Sequence, residues 1–269
     1  MKLSKIYEIA NALAPKSLSD EYCMKYGAYD NSGVLVDTGD EVNGILFALD
    51  LSDTAIERAL QIGANLIITH HPAIYGKISS VRVEDGALLG GKLIKCIKNG
   101  ISVIAMHLNV DCAVEGIDEN LMHGIVRAAG GTYGENATLM HTVGEGGYGR
   151  AYDVPSVTLS TLAENMRKEF HSNRIVVYGD AEKQIKRAVS CCGAGADEHS
   201  ISFAKQMQAD VFVSSDFKHH LIAYAVELGL AVVALPHYSS ENYGFKKYCQ
   251  KICQQAGLPC EYYTDERLL

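Results

Sequence analysis

The 269-residue sequence has no apolar run that approaches the roughly 20 residues of a membrane-spanning helix, which argues against an integral membrane protein. Basic residues are also scarce: 24 Lys and Arg stand against 32 Asp and Glu, and the formal net charge is −8. Nucleic-acid binding by counterion release needs a concentrated basic surface, so this balance argues against a general nucleic-acid binder. The 48% hydrophobic and 21% charged residues are typical of a globular protein and exclude disorder.

The sequence shows neither the pattern typical of a secretory signal nor that of a disulfide framework, so we expect neither. Residues 2–14 alternate apolar and charged side chains, as an amphipathic helix does, without the unbroken apolar core of a leader. The eight cysteines contain no Cys-x-x-Cys pair, so we expect free thiols and a cytoplasmic protein. Cys249 and Cys253 are interpreted as small apolar residues on a helix face rather than metal ligands, because no second pair would complete four thiolates.

Common catalytic and phosphate-binding motifs are also missing. No Gly-x-Ser-x-Gly sequence is present, which argues against a serine hydrolase of that type. Gly193-Ala194-Gly195 lacks the rest of a dinucleotide fingerprint or a phosphate loop and is interpreted as a tight turn. The same stretch is also compatible with backbone N–H groups that face a substrate anion.

Short apolar, β-branched runs alternate with helical patterns, which predicts an α/β fold. The predicted strands are 44–49, 66–69, 103–106, 174–177, 188–191, 211–213 and 231–235. Because these runs are continuously apolar, we expect sheets with helices on both faces. Thr54-x-x-Glu57 and Thr161-x-x-Glu164 predict capping boxes at helix starts. Helix ends are predicted at Gly63, Gly100, Gly130 and Gly257.

A repeated arrangement occurs in the two halves of the chain. In each half, a strand that ends in polar residues is followed by a helix and by a second strand that ends in His-x-x-x-carboxylate. The polar strand ends are His70-His71 with His107-x-x-x-Asp111, and Asp216 with His237-x-x-x-Glu241. We therefore predict two related α/β lobes, residues 1–125 and 126–269, whose equivalent strand ends meet at a shared centre.

The polar residues at these strand ends are candidate metal ligands. Functional groups of open α/β sheets gather at the carboxyl ends of strands. Imidazoles and carboxylates without thiolates suit zinc, manganese, iron or nickel. Since neighbouring side chains of an extended strand point to opposite sides, His70 and His71 suit two neighbouring ions better than one. Taken alone, each motif is more often part of a loop or a capped helix start than a set of ligands, and it is the convergence of the motifs at strand ends that favours a metal site.

Taken together, these motifs resemble the NGG-one-interacting-factor-three-like family, also known as type-two GTP cyclohydrolase I homologues. The resemblance is carried by Leu66-Ile-Ile-Thr-His-His-Pro72, His107-x-x-x-Asp111, Asp216-x-x-His219 and His237-Tyr-Ser-Ser-Glu241. It implies two intertwined α/β lobes with mixed sheets, assembled as a homohexamer, and a dinuclear metal centre in each subunit. One departure is Pro236, where the family usually has glycine; it removes no ligand.

The resemblance also implies roles for individual residues. The metal ligands would be His70, His71, Asp111, His237 and Glu241, which would hold two divalent ions per subunit. His107 and His219 would lie near the ions as catalytic acid or base.

Two functions are compatible with such a centre. The first is a two-metal hydrolase of a small, nucleotide-like substrate, because two cations activate a bridging water and polarise the bond that it attacks. The alternative is a metal-binding regulatory or scaffold protein without catalysis. Five protein ligands for two ions leave positions for water, which favours the hydrolase. Nucleic-acid binding by a ring is disfavoured by the acidic balance.

Overall fold

The structure, a computed structural model, describes residues 1–39, 41–78, 80–86 and 88–269. Over these residues the helices are α1 (Leu3–Leu13), α2 (Lys16–Tyr26), α3 (Asp53–Ile62), α4 (Leu89–Lys98), α5 (Leu108–Cys112), α6 (Ile117–Ala128), α7 (Leu159–Glu169), α8 (Glu198–Gln206), α9 (His219–Glu227) and α10 (His237–Ala256), with a 3-10 turn at Val83–Asp85. The strands are β1 (Gly33–Val36), β2 (Ile45–Ala48), β3 (Leu66–Thr69), β4 (Ser102–Ala105), β5 (Thr138–Val143), β6 (Gly146–Thr158), β7 (Val176–Tyr178), β8 (Gln184–Ser190), β9 (Val211–Ser214), β10 (Ala231–Ala234) and β11 (Cys260–Tyr262).

The chain forms two compact units, and each is built from two separate stretches. Unit 1 comprises residues 1–113 and 245–264, and unit 2 comprises residues 114–244 and 265–269. Helix α10 therefore begins in unit 2 and ends in unit 1. The sequence prediction divided the chain between residues 125 and 126, a point that lies inside α6.

Unit 1 contains a mixed five-stranded sheet in the order β1-β4-β3-β2-β11. Its strands run parallel except for β1, which pairs with β4 in the antiparallel sense. Every residue of β2, β3 and β4 is buried, as the continuous apolar runs predict for strands covered on both faces. The last residues of these strands, Ala48, Thr69 and Ala105, lie side by side in the register.

Unit 2 contains a mixed six-stranded sheet in the order β5-β6-β8-β9-β10-β7. Its centre is the parallel run β8-β9-β10, in which Ser214 pairs with Ala234 at the carboxyl ends. The prediction of an α/β fold with two lobes and mixed sheets is thus confirmed. The sequence prediction missed β1, β5, β6 and β11, because these strands are partly exposed or interrupted by glycine and polar residues.

The predicted capping boxes are wrong, although helices do begin near them. The N-cap residues are Ser52 and Thr158, whose side chains accept hydrogen bonds from the backbone N–H three residues on. These two residues still have extended backbone, whereas Thr54 and Thr161 are already helical. The predicted helix ends are confirmed, since Gly63, Gly100, Gly130 and Gly257 all have positive φ at or just after helix termini.

All eight cysteines carry free thiols, as predicted. Cys249 and Cys253 both lie on α10, and burial raises the pKa of the Cys249 thiol well above its ordinary value. A neutral buried thiol packs as a small apolar side chain. Among the described residues, no helix has the length and apolar character needed to cross a membrane.

Candidate functional site

Three histidines of unit 1 lie together at the carboxyl ends of neighbouring parallel strands. His70 and His71 follow β3, and His107 follows β4, whose last residue pairs with the last residue of β3. Backbone hydrogen bonds extend the ladder past the strand ends, from His71 N–H to the Leu49 carbonyl at 2.9 Å. As a result, one ring nitrogen of each histidine lies within 4.8 Å of the others.

The adjacent histidines do not keep the opposite orientations that an extended strand would give them. The chain bends immediately after Thr69, and the centroids of the His70 and His71 rings are 4.8 Å apart. The centroids of the His70 and His107 rings are 5.0 Å apart. The bend therefore lets both members of the pair contribute to one group of donors.

Each of these imidazoles is fixed through its Nδ1 atom by an oxygen that can only accept a hydrogen bond. The acceptors are the Met106 carbonyl for His70 at 2.9 Å, Asp50 for His71 at 2.8 Å and Asp30 for His107 at 2.8 Å. In the neutral ring, a proton on Nδ1 leaves the lone pair on Nε2. Metal-ligating histidines characteristically donate their other ring N–H in this way.

Asp30, the acceptor for the Nδ1 atom of His107, is itself held by further hydrogen bonds. Its side chain is 1% exposed and accepts hydrogen bonds from Ser19 Oγ at 2.5 Å and Ser32 Oγ at 2.6 Å, besides that from His107. Burial by itself would raise the pKa of Asp30, but the hydrogen bonds from His107, Ser19 and Ser32 hold it well below its ordinary value. Asp30 therefore stays ionised and orients the His107 ring.

Asp111 brings a carboxylate to the same place. The His107 carbonyl accepts a hydrogen bond from Asp111 N–H at 3.0 Å, which closes the first turn of α5. The structure thus places His107 just after β4 and Asp111 in the first turn of α5. The carboxylate is 3.5 Å from Nε2 of His70, and both side chains are at most 5% exposed. Buried charges are normally balanced by counter-charges or metal ions, so this pair suits a cation.

Unit 2 carries a second donor pair on the first turn of α10. His237 Nε2 and Glu241 Oε2 are 3.1 Å apart, one helical turn from each other. The Nδ1 atom of His237 is 2.6 Å from Asp216 Oδ2. This ring is therefore held by a hydrogen bond from Nδ1 to an oxygen, as the histidines of unit 1 are. Pro236 is compatible with this arrangement, because its carbonyl accepts the hydrogen bond from Ser240 N–H at 3.0 Å. The departure from glycine at this position leaves the donors in place.

The turn at Gly193 packs directly against Glu241. Residues 193–194 form a turn, as predicted, and a Cβ atom on Gly193 would lie 2.2 Å from Glu241 Oε1. Gly193 has φ +54°, which also favours glycine. Its N–H donates to Ser240 Oγ at 3.1 Å, so this amide serves the fold of unit 2 rather than a substrate anion.

Asp118 supports this turn, and sequence reasoning missed it. The fully buried carboxylate accepts hydrogen bonds from Cys192 N–H at 3.1 Å and Gly149 N–H at 3.0 Å, and lies 3.1 Å from Arg150 Nε. Burial raises the pKa of Asp118 to about 6, although Arg150 and the two amides oppose the shift. In the sequence Asp118 is an ordinary acidic residue of a first helical turn, and its partners are 31 to 74 residues away.

The two predicted catalytic histidines have different surroundings. His107 belongs to the histidine group of unit 1. His219 is the exposed first residue of α9, and no donor group found among the described residues includes it.

A family model described as Duf34/NIF3 (NGG1p interacting factor 3) matches residues 1–264. The chain belongs to the DUF34/NIF3 family. A relative from Clostridium perfringens, named GTP cyclohydrolase 1 type 2 homolog, is 28% identical over 264 residues, which cover 97% of this chain and 95% of the relative. These matches confirm the resemblance that the His-His-Pro and His-Tyr-Ser-Ser-Glu motifs indicate.

Solved structures show the same fold. A Bacillus cereus protein related to NIF3 is similar with a TM-score of 0.78 and 20% identity, covering 98% of this chain and 96% of that protein. Reduced HcgD from Methanocaldococcus jannaschii is similar with a TM-score of 0.77 and 26% identity, covering 97% of both chains. The DUF34/NIF3 chain therefore shares its architecture with these proteins along nearly its whole length.

Proposed function

We propose that this DUF34/NIF3 protein is a divalent-metal-dependent hydrolase of a nucleotide-like substrate. Its metal ligands would be His70, His71, Asp111, His237 and Glu241, with two ions per chain. One observation carries the proposal: an oxygen acceptor lies at hydrogen-bond distance from Nδ1 of four histidines, His70, His71, His107 and His237. This leaves Nε2 of each ring to bind an ion.

The chemistry of the donors fits such ions. Imidazole nitrogen and carboxylate oxygen, without thiolate, suit zinc, iron, manganese or nickel. Burial of Asp111 and Glu241 also suits a bound cation, because buried carboxylates are normally paired with counter-charges or metal ions. Two such cations would lower the pKa of water and polarise the bond under attack.

The chain itself must hold the imidazoles in place and move a proton. Three of the rings are held in fixed orientations by the carboxylates of Asp30, Asp50 and Asp216. Fixed rings lower the entropic cost of reaching the reactive geometry. Since Nδ1 of His107 is bound to Asp30, its Nε2 atom is the one that takes a proton or binds an ion, and it cannot do both at once. His219, exposed at the start of α9, is the second candidate acid or base.

The name of the Clostridium perfringens relative makes GTP the first substrate to test. Turnover of GTP by the metal-loaded protein is compared with that of the metal-free protein and of His70→Ala. His219→Ala is paired with His220→Ala, because the two side chains are adjacent and both exposed. Loss of turnover in His219→Ala alone would support its role. No turnover of GTP, other nucleotides or phosphoesters above the His70→Ala background would leave the regulatory or scaffold alternative.

Metal binding is tested separately from turnover. Elemental analysis of the protein purified without added metal is expected to give about two ions per chain, as a dinuclear centre requires. His70→Ala in unit 1 and Glu241→Ala in unit 2 should each lower this number sharply, whereas His220→Ala should not. Less than about half an ion per wild-type chain would contradict the proposal.

A further inference from the structure

A small cavity lies beside His71 within unit 1. Its volume is about 190 Å³, and its walls include Asp50 after β2, His71 and Pro72 of the His-His-Pro turn, and Leu89 and Lys92 of the first turn of α4. None of these residues except His71 belongs to the proposed ligand set. The cavity therefore adjoins the donors without being filled by them.

The size of the cavity limits what it can hold. Pockets that enclose a whole drug-sized ligand usually measure about 300 to 1,000 Å³. The cavity thus fits one functional group of a substrate rather than an entire nucleotide.

Lys92 places a cationic side chain at the wall of the cavity. Its side chain is partly buried and forms no hydrogen bond or ion pair with any of the described residues. Lys95, one turn further along α4, differs, because its ammonium group is paired with Asp53. The two lysines therefore form a natural pair for comparison.

The remaining walls favour an anion near Lys92. Pro72 and Leu89 are apolar, and apolar surroundings strengthen an ionic contact relative to open water. The Asp50 carboxylate also lines the cavity, but it accepts the Nδ1 hydrogen bond of His71 and lies beyond ion-pair distance of Lys92. The ammonium group is thus available to a ligand.

We propose that Lys92 and this cavity bind an oxyanion group, such as phosphate or carboxylate, of the molecule that is processed at His71. This inference rests on the proposed function for the role of His71, but the anion site itself depends only on the cavity and its lysine. It assigns an anionic substrate class to the protein. It also assigns Lys92 the role of a binding residue.

The test is calorimetric titration of the full chain with inorganic phosphate and, separately, with acetate. Wild type and the matched control Lys95→Gln should bind with the same affinity, whereas Lys92→Gln should bind at least about tenfold more weakly, since a hydrogen bond to a charged group is lost. Lys92→Arg should retain most of the affinity, because it keeps the charge. Phosphate binding without acetate binding would identify the anion as a phosphate group, and the reverse a carboxylate. Equal binding by wild type and Lys92→Gln, or no binding by wild type, would overturn the proposal.

Each titration is performed on metal-free and on metal-loaded protein, so that the two proposals fail separately. If the chain takes up no metal ions but binds phosphate in a manner that depends on Lys92, the proposed hydrolase fails and the anion site remains. A chain that holds metal but binds anions regardless of residue 92 would remove only the anion site. The metal content of Lys92→Gln should equal that of wild type.

Discussion

Gly193→Ala provides a sharp test of the donor pair in unit 2. The added methyl group would lie 2.2 Å from Glu241 Oε1 and 3.4 Å from His237 Nε2, and ordinary contact begins near 3.4 Å. The carboxylate, which is 3% exposed, or the turn would therefore have to move by about an ångström. We expect the metal affinity to fall about 10- to 100-fold, as it does when the support of a ligand is disturbed.

The stability of the variant should fall as well. An alanine at φ +54° costs about 1 to 2 kcal/mol relative to glycine, and overpacking adds about 1 to 3 kcal/mol. Gly229→Ala is the matched control, because Gly229 has φ +81° and its added methyl group would meet no atom within 4 Å beyond its neighbours in the chain. Gly229→Ala should lower the free energy of unfolding by about 1 to 2 kcal/mol through its backbone conformation alone, and it should keep its metal affinity.

Metal affinity is measured by competition with a chromophoric chelator, and the free energy of unfolding by urea denaturation at fixed metal concentration. Gly193→Ala should lose metal affinity, whereas Gly229→Ala should not. Wild-type affinity in Gly193→Ala, or an equal loss in both variants, would show that the contact between Gly193 and Glu241 does not position a ligand.

Two further predictions follow from named contacts, and a third follows from the family resemblance. Asp30→Asn should lower metal affinity about 10-fold or more, because the His107 ring loses its ionised acceptor, whereas Asp20→Asn on the surface should leave it unchanged in the same chelator assay. The folded-state pKa of Asp118 is about 6, above its ordinary 3.8, so its contribution to stability is present below pH 4 and lost as the pH rises to about 6. Urea denaturation across this range should show the free energy of unfolding decline by about 3 kcal/mol. This decline should be absent in Asp118→Asn. Sedimentation should give six times the mass of one chain, and a monomer would contradict the implied homohexamer.

The central strands and the donor residues could be predicted because their signals are local. The run at 66–69 coincides with β3, since a strand buried on both faces must be continuously apolar. His70 and His107 stand directly after such runs, so their position at strand ends follows from the sequence, whereas the structure places His237 at the start of α10. The edge strands β1 and β5 lack this signal because each is partly exposed.

The sequence by itself determined the α/β class, the family and the identity of the candidate metal donors. Only the tertiary structure decided how the donors are held. Asp30 reaches His107 across 77 positions of the chain, and Asp118 reaches Cys192 across 74. Such contacts depend on which strands become neighbours, and local sequence patterns do not specify strand pairing. The same reason explains why the bend at His70, the close packing of Gly193 on Glu241 and the cavity at Lys92 emerged only from the folded chain.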